Sequence, residues 1–71
     1  MEYITVSWPG KQRDVYVDGD FVGSTGDTLR VDKGTHVINL GDPRDYTPKW
    51  RRPYVAETGP ADPLEVTFEV V

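Results

Sequence analysis

Three groups of residues in this sequence carry side chains able to do chemistry. Asp18-Gly19-Asp20, with Asp14 and Asp27 close by, gathers carboxylates; His36 is the only histidine; and Lys49-Trp50-Arg51-Arg52-Pro53-Tyr54 interleaves cations with aromatic rings. A calcium loop needs roughly six to eight oxygens, supplied by acids at alternate positions ahead of a glycine and closed by a later glutamate. Here Gly19 falls between the acids and no glutamate follows in register, so Asp-Gly reads as a hairpin turn. His36 has no second histidine and no cysteine to share a metal with, nor a second base to complete a catalytic triad, and reads as a structural side chain. Glu65 and Glu69 lie about 13 Å apart along a strand. That exceeds the roughly 5–9.5 Å of glycosidase carboxylate pairs, so they read as a solvated face. Gly19, Gly23 and Gly26 make no phosphate loop, because neither a Lys-Ser/Thr pair nor a helix follows them. With no nucleophile, base and orienting group in one pattern, a non-enzyme is expected, without cofactor or metal.

The basic aromatic run has two readings. Trp50 and Tyr54 could anchor an irregular crossover to the core while Lys49, Arg51 and Arg52 stay in water, since charge and proline are also what blunts a strand edge. Alternatively Lys49, Trp50, Arg51, Arg52 and Tyr54 form a binding edge for a peptide, a glycan or an acidic partner, stacking on rings and pairing with anions.

The elements that must position these residues are strands. Ile4, Val6 and Trp8 alternate with Tyr3, Thr5 and Ser7, the period of a half-buried strand. Val15 and Val17 share a face, with Tyr16 opposite, and Asp18-Gly19 links them to Phe21-Val22. Leu29 and Val31 alternate next, and Thr35 to Leu40 follows the Asp32-Lys33-Gly34 turn, with His36 on the Ile38/Leu40 side near the rim. Pro43, Pro48 and Pro53 forbid a helix or a central strand between Asp42 and Arg52, leaving a short edge strand near Trp50 to Ala56. Leu64, Val66, Phe68 and Val70 form the last inward face. The pattern predicts one all-β domain over residues 1–71, a small two-sheet antiparallel sandwich of six or seven short strands. Its expected core is Ile4, Val6, Val15, Val17, Leu29, Val31, Ile38, Leu40, Leu64, Val66, Phe68 and Val70, with Trp8 or Trp50 closing one end.

Composition narrows the function classes. The 71 residues carry a net charge of −4 and no cysteine, so neither a disulfide staple nor a thiolate site is available. A pI near 4.7 argues against a nucleic-acid module. No apolar run approaches the roughly 20 residues of a membrane-spanning helix. The start, Met-Glu-Tyr-Ile-Thr-Val, lacks the basic and apolar regions of a signal peptide, so the sequence as written reads as cytoplasmic, with a fragment of an envelope protein as the alternative and the localisation left open.

From Asp14 to Trp50 the residues fall in a recognisable order. Val15-Tyr16-Val17-Asp18-Gly19-Asp20-Phe21-Val22-Gly23-Ser24-Thr25 is followed by Thr28-Leu29-Arg30-Val31, Gly34-Thr35-His36-Val37-Ile38 and Asp45-Tyr46-Thr47-Pro48-Lys49-Trp50. This resembles the PEGA domain, with Gly26-Asp27 and Asp32-Lys33-Gly34 where that family has its prolines. The resemblance implies a small prealbumin-like β-sandwich without catalytic activity, often set within cell-envelope proteins, that contacts proteins or carbohydrates. It carries over no binding residue.

Overall fold

The alternation resolves into ten short strands and no helix: β1 (Glu2–Ser7), β2 (Asp14–Val17), β3 (Asp20–Ser24), β4 (Thr28–Val31), β5 (Gly34–Thr35), β6 (Ile38–Asn39), β7 (Tyr46–Thr47), β8 (Tyr54–Val55), β9 (Leu64–Thr67) and β10 (Glu69–Val70). They are seen in a computed structural model that describes all 71 residues. In the first layer β1 lies between β4, antiparallel to it, and β9, parallel to it. The Phe68 N–H donates to the Ser7 carbonyl at 3.0 Å and carries the chain on into β10, which pairs with β7. In the second layer β2 lies between β3 and β6. β5 pairs with β8, and Ile38 and Arg51 exchange two backbone hydrogen bonds of 2.7 and 2.9 Å. Residues 34–39 are therefore zipped to residues 51–55, which form the outer edge of that layer.

The result is an all-β sandwich of small, mainly antiparallel sheets. Its strands are shorter and more numerous than the pattern suggested, and the β1–β9 pair is parallel. Short range explains why. Hairpins announce themselves through turns, whereas a parallel pair joins distant segments and leaves no local signal.

Twelve side chains form one buried cluster between the layers. Phe68 is fully buried, a placement worth about 1.5–3 kcal/mol relative to exposure. Two expected core residues differ. Leu64 is only partly buried, and Val70, at the chain's end opposite Tyr46, is 59% exposed. Tyr46 and Val55 take their places, and Tyr46 meets the Phe68 ring edge-on at 5.5 Å. Of the two tryptophans, Trp8 closes the end of the core and Trp50 stands outside it.

Two glycines set the second layer. Asp18 (φ 53°) and Gly19 (φ 89°) are the only residues between paired Val17 and Asp20, a two-residue turn with both central φ angles positive. Gly23, at φ 155°, leaves room for Leu29, whose Cδ2 would lie 2.4 Å from any Cβ added there. A register shift beside Gly23 leaves Val22 without a ladder partner. Gly19→Val is expected to cost about 1–2 kcal/mol in urea denaturation, because a β-branched residue resists positive φ. An unchanged midpoint would place the turn strain elsewhere.

Candidate functional site

The polar run before β2 supplies the side chain around which one end of the molecule is organised. Arg13 is held at its backbone by Thr25: its N–H donates to the Thr25 hydroxyl at 3.0 Å, and its carbonyl accepts from the Thr25 N–H at 2.9 Å. Its side chain is 12% exposed. It lies 5.0 Å from the Trp8 ring centre and 5.1 Å from that of Tyr46, pairs with Asp45, and donates to the Pro43 carbonyl. The Arg13 guanidinium holds the Asp45 carboxyl below the usual carboxylate range. This arrangement ties down the loop between β6 and β7, which carries the chain out of the second layer and into the first.

The five expected binding residues come after that loop in the chain, and the structure divides them. Arg51 lies opposite buried Ile38 and turns toward the first layer, where its Nε donates to the Thr67 carbonyl at 3.0 Å. Arg51 thus joins the two layers along an open side, over a groove of about 440 Å³ that it lines with Arg52, Pro53 and Glu65. Trp50, Arg52 and Tyr54 are exposed, and so is Lys49. Trp50 lines a shallow hollow of about 250 Å³ with Val37, Asn39, Gly41 and Lys49.

These residues are continued by others that the charge pattern did not single out. In the second layer Val15, Val17, Ile38 and Val55 point into the core, so the intervening side chains point out. The ladder sets Phe21 beside Tyr16, Tyr16 beside Asn39, and Thr35 beside Tyr54. The Tyr16 and Phe21 rings meet edge-to-face at 6.2 Å. The Tyr16 ring also lies close over Gly41, where a Cβ would be 2.7 Å away. The outer face of this sheet therefore carries Phe21, Tyr16, Val37, Trp50, Arg52 and Tyr54, of which Phe21, Trp50 and Tyr54 are 60%, 57% and 64% exposed. Alternation about Val15 and Val17, taken with the two-residue turn, already places Tyr16 and Phe21 together. Their link to Trp50 depends on the pairing of residues 34–39 with 51–55, which no local signal reveals.

His36 sits between β5 and β6, where the strand expected over Thr35 to Leu40 is interrupted, and is turned toward the rim of that face. Its Nδ1 is 2.7 Å from the Asp18 carboxylate and its Nε2 is 2.6 Å from the Asp32 carbonyl. The same carboxylate accepts the Val37 N–H at 2.9 Å, and the Asp18 N–H donates to the Val37 carbonyl at 2.8 Å. The hydrogen bond to Asp18 raises the His36 pKa above its ordinary value near 6.5, helped by the Asp32 carbonyl. The His36 and Val37 hydrogen bonds lower that of Asp18 in return. On β1, opposite Val31, Glu2 accepts from the Thr58 hydroxyl at 2.7 Å and its N–H at 2.9 Å, which lowers the Glu2 pKa and pins the loop before β9 to β1. No group of three or more His, Cys, Asp or Glu side chains is placed to hold a metal ion.

No family model matches this chain, and no curated protein or solved structure matches it either.

Arg51 and Arg52 are neighbours with different roles, and this is measurable. The Phe68 N–H faces β1, so alternation turns the backbone groups of Glu65 and Thr67 outward along a free edge, with Arg51 across it. Arg51→Ala is expected to uncover that edge and raise self-association in sedimentation velocity, whereas Arg52→Ala leaves the parent's state unchanged. Equal behaviour of the two variants would mean that Arg51 does not guard the edge.

Proposed function

We propose that the chain is a non-catalytic interaction module, of the kind its PEGA resemblance implies, and that it binds an acidic polypeptide on the outer face of its second sheet. The observation that carries this reading is the row of exposed rings on that face, with cations beside it. Trp, Tyr, Phe and Arg are the residues enriched at protein interfaces, and Trp, Tyr and Arg supply most of their binding energy. Flat exposed rings lose little conformational entropy when covered, so a small rigid sheet is a suitable platform.

Charge selects the partner. Residues 44–54 hold four cations (Arg44, Lys49, Arg51, Arg52) against one acid (Asp45), a balance of +3 in a chain of net charge −4; Lys49 and Arg52 stand beside the rings, while Arg51 turns along the edge and Arg44 lies 3.7 Å from Asp42. The remaining residues therefore carry −7, which disfavours polyanions everywhere else on the surface. Two copies meeting face to face would oppose like charges, whereas an acidic segment would be steered to this face. A standard interface takes about 800 Å² from each partner, roughly a sixth of the 4588 Å² this molecule exposes, so one sheet face has the required size.

Titration of the 15N-labelled chain with a poly-L-glutamate peptide tests the proposal. The expected shifts centre on Tyr16, Phe21, Val37, Trp50, Arg52 and Tyr54, fade with added salt, and disappear in Trp50→Ala combined with Arg52→Ala. A response to a polyuronate oligosaccharide alone would assign the face to an acidic glycan. Shifts confined to other surfaces would overturn the site.

A further inference from the structure

The aromatic face is assembled from two halves. Phe21 and Tyr16 belong to the β2–β3 hairpin, while Trp50, Arg52 and Tyr54 belong to the edge segment. Residues 34–39 lie between them and pair with both. At the hairpin tip this joint is made by Asp18, which is bonded to His36 through one carboxylate oxygen and to the Val37 N–H through the other.

Both partners of the His36 ring are groups that only accept: an ionised carboxylate and a backbone carbonyl. A neutral imidazole carries one N–H, so it satisfies only one of them and turns a lone pair toward the other. The arrangement seen is that of the imidazolium. We propose that the His36–Asp18 clasp is a proton-operated joint of the binding face, which holds the hairpin tip and its Phe21 against residues 36–37 when His36 is charged and releases one contact when His36 is neutral. This rests on the reading of that face as the binding surface and names its regulation.

The charges that bear on the ring come from Asp18 on the hairpin turn and Asp32 on the loop before β5. From the edge segment the neighbour is Pro53, whose carbonyl accepts the His36 N–H at 3.2 Å, and no charged group of that segment bears on the ring. All the charge at the joint is therefore negative, which agrees with the raised His36 pKa. The sign follows from linkage: a group whose pKa is higher folded than unfolded adds stability that is complete below about 6.5 and is lost as the pH rises through the folded value. The joint is tightest on the acid side and loosens on the alkaline side, where the neutral ring keeps one of its two hydrogen bonds and the Asp18–Val37 bonds remain, across the range in which histidine alone among ordinary side chains changes charge.

The test uses the free chain with no partner, so its outcome is independent of whether poly-L-glutamate binds. The His36 ring protons are followed by NMR from pH 5 to 9 together with the Phe21, Tyr16, Trp50 and Tyr54 ring signals. The expected result is a His36 midpoint above 6.5, with the Phe21 and Tyr16 signals moving at that same midpoint. Across the same transition Tm is expected to fall by about 4–8 °C, the loss that removing one hydrogen bond causes in a domain of this size. Asp18→Asn keeps a residue at ease in the turn and an acceptor for the Val37 N–H, and its amide can donate to a neutral ring. In this variant the His36 midpoint is expected to drop and the alkaline loss of Tm to shrink. A His36→Gln chain, read by Tm alone, is expected to show no step near neutral pH. A wild-type midpoint at or below 6.5, or ring signals of Phe21 and Tyr16 that ignore the His36 titration, overturns the proposal.

Discussion

Arg13 is a partly buried cation whose charge is shared among several partners. The Asp45 carboxylate and the Pro43 carbonyl take its N–H groups, and the Trp8 and Tyr46 rings lie within about 5 Å of its carbon centre. A buried charge without such partners would neutralise or unfold its surroundings. The cluster continues inward, because Tyr46 packs edge-on against Phe68, the largest of the fully buried side chains. One guanidinium therefore couples the start of β2, the loop before β7, and the centre of the core.

That coupling sets the path of the segment that carries the exposed rings. Between Leu40 and Tyr54 the chain has no ladder of its own except the pairing of β7 with β10 and the bridge at Arg51. A segment with so few hydrogen bonds needs side chains to fix it, and Arg13 fixes its beginning as Arg51 fixes its end. The exposed rings of Trp50 and Tyr54 are held in a defined place on the second sheet by these two arginines. Neither arginine is at the centre of the face: one is partly buried beside Trp8, Tyr46 and Asp45 and the other turns away along its edge.

Much of this architecture was legible in the sequence, for reasons that differ by residue. The alternation of Ile4 with Val6 and of Val15 with Val17 predicts their burial, because a strand with one wet face can satisfy its side chains in only one register. Asp18-Gly19 predicts its turn because few residues accept positive φ at both positions. Val70 fits the same alternation and is exposed, because periodicity says which way a residue points and not whether the opposite layer reaches that far. Tyr46 and Val55 lie in a proline-broken stretch with no period, so nothing local marked them as core. Arg13 carries no local signal of its role, since the charge partners that hold it, Pro43 and Asp45, lie 30 and 32 positions away. The basic aromatic run was visible as composition. Its division into a guarding Arg51 and an outward Trp50, Arg52 and Tyr54 needed the antiparallel pairing with residues 34–39, which fixes the parity of each side chain.

The central claim is that Arg13 organises the end of the sandwich and so the approach to the face. Its most direct test is the urea-denaturation free energy of Arg13→Met beside that of Arg52→Met. The substituted chain keeps most of the apolar stem and loses the charge. The account predicts a loss of about 2–4 kcal/mol for Arg13→Met, from charge-assisted hydrogen bonds and ring contacts together, and a change within about 0.5 kcal/mol for the exposed Arg52→Met. Equal, small losses in the two variants would contradict it.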